Sequence, residues 1–377
     1  MFLAAFAFLC VAMGDVVAEP LPKELDDTEV TRALRELVGE EFRILRTDHF
    51  TIAYDTPYPV LRALIGRLEG TYDTVGRFCE GDSLSPEPLK ERLGVVLFSQ
   101  HADFARKCQD VGMDPANVSG FFDHGKNIAL FGNVLDRPEM RAITQRIDDL
   151  TAELDGLRRK SSGRATDLRH REKLRRELRV LRARRDLTVE TYNRLIIRHE
   201  ATHQILFNSG VHVRGARNPD WLVEGLACQF EVRQSWSSMG LRYVNHRRLS
   251  DFREALGVGG GDSSIAERRY RQAVAAGKVL SLVDLIGDAN ALQDGSSNTA
   301  YHYAQTWSLV YYLHRKHRGS LAAYIRKVSD RRPGRSVSRD REIGDFESTI
   351  GPIDDKLKSD WLGFILSLKV DQKKAGG

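Results

Sequence analysis

Apolar residues recur along this chain with two periods, near two in a few short stretches and between three and four over the long ones. The short-period stretches all lie before residue 133. Residues 42–54 read as a strand ending at Asp55-Thr56-Pro57, and residues 93–98 as a short buried strand. Residues 118–132 read as a hairpin that turns through Asp123-His124-Gly125-Lys126-Asn127. A helical period covers 60–78, and an acidic helix ahead of residue 41 is expected to be loosely held. From residue 138 onward every strong pattern is helical. Ile143, Ile147, Leu150, Leu154 and Leu157 alternate spacings of four and three, Ser161-Ser162-Gly163 interrupts them, and Leu174, Leu178 and Leu181 carry the seam back. This predicts an antiparallel coiled-coil hairpin over 138–186 that projects from the domain and feeds into the next helix.

A polar connector, 208–218, then precedes a second apolar helix beginning at Asp220, a residue type suited to the N-cap. After a glycine-rich break at 257–262, helical patterns return at 266–276, 280–286 and 303–313. A polar break at 331–341 precedes a last helix, 354–368, striped by Leu357, Trp361, Phe364, Ile365 and Leu368. The expected class is α+β. The expected divisions are an N-terminal extension over 19–40, an α+β lobe over 41–137, the inserted hairpin over 138–186, helices of a candidate site over 187–240, and an α-helical lobe over 241–377.

Composition changes this picture little. The chain has 377 residues, 41% of them apolar and 29% charged, with a formal net charge of +5, which is ordinary for a globular protein and argues against wholesale disorder. Residues 1–17 are apolar and end in Val16-Val17-Ala18 before Glu19-Pro20, so they read as a secretory signal peptide cleaved near Ala18, and the protein as exported to periplasm, envelope or exterior. The segment lacks an initial positive charge, which leaves an uncleaved anchor open. It is short for a membrane span, and no other stretch is a candidate. Cys10 stands in a poor lipoprotein context. Cys79 and Cys108 would pair in an oxidising compartment, although free buried thiols account for them and for Cys228 equally well.

The most specific chemistry is His199-Glu200-Ala201-Thr202-His203. Two histidines four apart on a helix project from one face, so both imidazoles can reach one zinc ion, and Glu200 beside them is placed to act as a general base. A third ligand is needed. The extended pattern with glycine at 206 and histidine at 209 fails, because those positions are Leu206 and Ser209. Glu224 is a lone carboxylate among apolar and small residues of the second helix, and its burial unpaired would cost several kcal/mol unless a cation satisfies it.

The HEATH pentad followed by the glutamate of WLVEGLA resembles the gluzincin zinc metallopeptidases, and the wording HEATHQILFNSG then NPDWLVEGLACQFE is similar to a bacterial family of uncharacterised peptidase-like domains. The resemblance implies His199, His203 and Glu224 as zinc ligands and peptide or protein substrates. It implies a thermolysin-like lobe of mixed sheet and active-site helix followed by an α-helical lobe, with the zinc cleft between them. It further implies an oxyanion donor beyond the glutamate. Tyr303 is the candidate, with Tyr301 and His302 as competitors, although Tyr303, Trp307 and Val310 also have the spacing of an ordinary buried face. By the same resemblance, residues 128–131 would be the strand edge that holds an extended substrate. Cys228 would pack beside the site.

The hairpin is not explained by zinc chemistry. Its tip and return arm, from Arg158 to Arg185, are strongly basic and would attract an anionic polymer or envelope surface. Nucleic acid is disfavoured, since no aromatic residues are interleaved for stacking. The expected function is therefore an exported zinc metallopeptidase. The alternative is a catalytically silent, peptidase-like binding or structural protein that docks through this arm.

Overall fold

The structure is a computed structural model that describes residues 28–116, 118–159, 165–232, 236–237, 240–259, 265–288, 292 and 298–369. The signal segment 1–18, with Cys10, and the hairpin tip 160–164 lie outside the described residues. Helix α1 (Thr28–Val38) leads into strands β1 (Arg43–Arg46) and β2 (Phe50–Tyr54), helix α2 (Tyr58–Gly81), strand β3 (Leu93–Phe98), helix α3 (His101–Asp110), and strands β4 (Gly120–Asp123) and β5 (Ile128–Gly132). The five strands form one mixed sheet in the order β1-β2-β3-β5-β4, with β2, β3 and β5 parallel and both edge strands antiparallel to their neighbours.

Alternation along the strands supplies two apolar faces. Ile52, Val95, Leu97, Ala129 and Phe131 face the main core, whereas Ala53, Val96, Phe98, Ile128 and Leu130 face a smaller core covered by α1 and α3. Helix α1 is thus a structural layer rather than a loosely held extension, because Val30, Leu34 and Val38 are buried against the sheet. The stretch 42–54 is two antiparallel strands, not one, since the chain turns back at residues 47–49. Strand β5 is interior. The edge on that side of the sheet is β4, so residues 128–131 do not form the edge expected of them.

Helices α4 (Pro138–Arg159) and α5 (Ala165–Asn208) make the expected hairpin, with Ile147, Leu150 and Leu154 packed on Leu174 and Leu178 in a cluster separate from the other cores. Helix α5 runs unbroken through residue 186, so the expected boundary there falls inside one 44-residue helix. Beyond it come α6 (Asp220–Phe230), a two-stranded ribbon β6 (Trp236–Ser237) and β7 (Gly240–Leu241), and then α7 (His246–Leu256), α8 (Ala266–Ala275), α9 (Leu282–Gly287), α10 (Thr299–Lys316), α11 (Arg318–Ser329), α12 (Arg339–Thr349) and α13 (Asp355–Ser367). Asp220 is the first helical residue rather than the cap, and Pro219 precedes it. The main core runs from the sheet through α2 and α5 into α6 to α13, so the two expected lobes share one apolar interior. Cys79 lies in that core and Cys108 in the smaller one on the other face of the sheet; both are free, as is Cys228. No helix among the described residues is long and apolar enough to cross a membrane.

Candidate metal centre

The end of α5 is fixed to the sheet by polar contacts that apolar packing alone would not supply. Gln204 is fully buried and donates to the carbonyls of Gly94 on β3 (2.8 Å) and Asn127 (3.1 Å). Asn208 and Asn127 exchange side-chain amide hydrogen bonds of 2.9 and 2.7 Å, with Asn127 in the left-handed conformation that closes the β4–β5 turn. Gly120 lets β4 approach α5, since a Cβ there would lie 2.9 Å from Ile196 Cγ2. On the other side, α6 is drawn against α10 by Gly225 and by Gln229, which donates to the carbonyl of Trp307 at 3.0 Å.

These constraints bring three donors together. His199 Nε2 lies 3.0 Å and His203 Nε2 3.5 Å from the same oxygen of Glu224, and the donor atoms of all three residues lie within 4.8 Å of one another. Both histidines are buried, and Glu224 is mostly so. Burial alone would raise the Glu224 carboxyl, but the charge of His203 and hydrogen bonds from both rings outweigh it and hold the group well below the usual carboxylate range. Two imidazoles and a carboxylate around one point form a donor set suited to a divalent ion of borderline softness such as zinc.

Glu200 projects to one side of this group. Its Oε2 accepts the backbone N–H of Phe122 at 3.0 Å, and Phe122 belongs to the edge strand β4. Burial pushes the Glu200 carboxyl up, against the opposing pull of His199 and His203. The Tyr303 ring is stacked on His199 at 5.8 Å between centroids and 16° between planes. The charge of Glu224, followed by burial, raises its hydroxyl above the ordinary tyrosine value, so it remains a donor. Of the competitors, Tyr301 donates to Glu254 at the surface, and His302 is buried.

Four residues of the site are absent from the sequence-based set. Glu231 accepts from His199 Nδ1 at 3.2 Å, Arg248 forms a two-pronged pair with Glu231, and Asn245 Nδ2 donates to Glu231 at 2.7 Å. The Arg248 guanidinium also lies over the Tyr303 ring, 5.4 Å from its centroid. Burial would raise Glu231, but Arg248 and His199 bring its carboxyl down to about 2. His199, Cys228 and Glu231 form a second cluster with ligand-like spacing, yet it already contains a cation, Arg248, and burial keeps the Cys228 thiol protonated by pushing it up to about 11. The fourth residue is Phe122. His203 Nδ1 is buried with no partner among the described residues, so packing rather than an outer hydrogen bond sets that ring.

Only Glu231 carries a sequence signal, standing two helical turns after Glu224 on the same face. Arg248, Asn245 and Phe122 arrive by tertiary packing. Residues 195–334, less than half of the chain, match the family model described as a protein of unknown function (DUF1570). That span contains His199, Glu200, His203, Glu224, Glu231, Arg248 and Tyr303 but not β4. No curated protein matches the chain.

Proposed function

We propose that this protein is an exported zinc-dependent metallopeptidase of the gluzincin kind, with His199, His203 and Glu224 as ligands. The observation that carries the reading is the convergence of these three donors, from α5 and α6, beside a carboxylate held at a strand edge. Bound zinc would lower the pKa of a coordinated water to about 7 and polarise the scissile carbonyl.

The chain's own residues do the rest. Glu200 accepts the proton of the attacking water and passes it to the leaving amine. Its burial favours that exchange, because a carboxyl raised toward neutrality both takes up and releases a proton. The Phe122 N–H orients the carboxylate, and the outer edge of β4 offers backbone groups along which an extended peptide can lie. Tyr303, fixed by stacking on His199 and by the Arg248 guanidinium, donates to the oxygen that gains negative charge.

The test is zinc content by elemental analysis together with cleavage of a mixed peptide library read by mass spectrometry. Wild type and Glu200→Gln are expected to carry stoichiometric zinc, His203→Ala none, and wild type alone to cleave. Cleavage by Glu200→Gln at the wild-type rate would remove the proposed base. Zinc in wild type with no cleavage of any peptide would reassign the protein as a binding module.

A further inference from the structure

The two arms of the hairpin are unlike in charge. Helix α4 carries four arginines against five acids, whereas residues 165–187 of α5 carry nine arginines and lysines against four acids. Part of this basic charge is used inside the hairpin: Arg146 of α4 pairs with Glu177, Arg171 donates to the carbonyl of Leu157, and Arg185 pairs with Asp186. Another part is not. Arg169, Lys173, Arg176 and Arg179 are exposed and have no ion pair among the described residues.

At about 100° per residue these four cations fall on the face of α5 turned away from the seam of Leu174 and Leu178. Three aliphatic side chains share that face: Leu168, Val180 and Leu187, which are 56%, 60% and 44% exposed. Nine large apolar side chains are exposed among the described residues, so a third of them lie on one helix face between unpaired cations. A face meant only for solubility gains nothing from exposed leucine and valine, and a soluble polyanion would make no use of them. A bilayer uses both, since its headgroup region attracts the cations and its acyl boundary accepts the aliphatic groups.

We propose that this outer face of α5 docks the protein on an anionic lipid bilayer. Residues 168 to 187 span about 28 Å of helix, enough to lie along the headgroup plane as one rigid contact. Because α5 is continuous, docking also sets the direction of the candidate metal centre. His203 follows Arg176 by 27 residues, about seven and a half turns, so it faces the opposite side of the helix, away from the bilayer. The inference does not depend on the peptidase reading, since it rests on another half of α5.

Co-sedimentation of the full chain with vesicles of phosphatidylcholine alone, and of phosphatidylcholine with phosphatidylglycerol, tests it at low and physiological salt. Wild type is expected to bind the anionic vesicles and not the neutral ones. Arg176→Glu/Arg179→Glu should lower partitioning at least tenfold, and Leu168→Ser/Val180→Ser several-fold, with unchanged thermal melting because all four side chains are exposed. Binding to soluble polyphosphate should be lost in the first variant and kept in the second. Failure of wild type to bind anionic vesicles overturns the proposal. So does equal vesicle binding by wild type and Leu168→Ser/Val180→Ser, which would make the face a general polyanion contact.

Discussion

Gly225 follows Glu224 directly and faces α10, where a Cβ would lie 2.5 Å from Val310 Cγ2 and 2.9 Å from the carbonyl oxygen of Thr306. Backbone cannot yield as a side chain does, so Gly225→Ala should push α6 away from α10, cost roughly 1–3 kcal/mol, and displace Glu224 from the histidines. The denaturant midpoint and zinc content should fall together, and an unchanged midpoint would mean that α6 has slack against α10. Glu231 is the second sensitive residue. Glu231→Gln leaves Arg248 buried without its counter-charge, which should cost about 3–5 kcal/mol, and weakens the hydrogen bond to His199, which should lower zinc affinity about 10- to 100-fold. Adding Arg248→Met should restore stability and leave zinc affinity low; recovery of both would show that Glu231 acts only through Arg248. The pentad is legible in sequence because covalent spacing puts both histidines on one helix face, and Glu224 because it is a lone carboxylate among the apolar and small residues of α6. Arg248 and Phe122 are not, because the packing of other elements brings them to the site.

The hairpin is legible as an element for the same reason: a seam of alternating four and three spacings depends on local periodicity. Sheet order is different. The stretch 118–132 predicts a hairpin, but only the pairing of β5 with β3, 34 residues away at Gly94↔Ile128, decides that β4 is the edge. Helices α7 and α12 are hidden in sequence by high charge, since their buried apolar positions are few and sit between arginines and acids. The isolated core of the hairpin has an energetic consequence. Leu150 and Leu178 belong to a cluster separate from the main core, and each loss to alanine should cost about 2–5 kcal/mol. The double variant Leu150→Ala/Leu178→Ala should therefore melt the arm by itself. Amides of α4 and of residues 165–187 should lose hydrogen-exchange protection while 199–208 keep theirs. Simultaneous loss in both regions would make arm and body one cooperative unit.

The main core runs continuously from the sheet into the C-terminal helices, so a charge imbalance buried against it bears on the stability of the body as a whole. His212 is such a point. It follows α5 in the turn toward α6, is fully buried beside Phe207, and neither ring nitrogen has a partner among the described residues. Burial, assisted by His203 and His124, pulls its pKa down to about 3, so the folded protein keeps the ring neutral. In the unfolded chain the ring titrates at about 6.5. Below that pH the unfolded state binds a proton that the folded state does not, until pH about 3 is reached. The contribution is thus fully favourable above the unfolded value and lost as pH falls, by about 1.4 kcal/mol per unit, or about 2 kcal/mol by pH 5. His212→Phe keeps a ring beside Phe207 and removes the titration, so its stability should decline by about 2 kcal/mol less than that of wild type between pH 7 and pH 5. The comparison concerns slopes and not absolute stabilities, so any overpacking by the added carbon cancels, as do the carboxylates common to both proteins. Parallel curves from chemical denaturation across that range would mean that His212 takes up its proton in the folded state, through water reaching the turn, and that the core is open there.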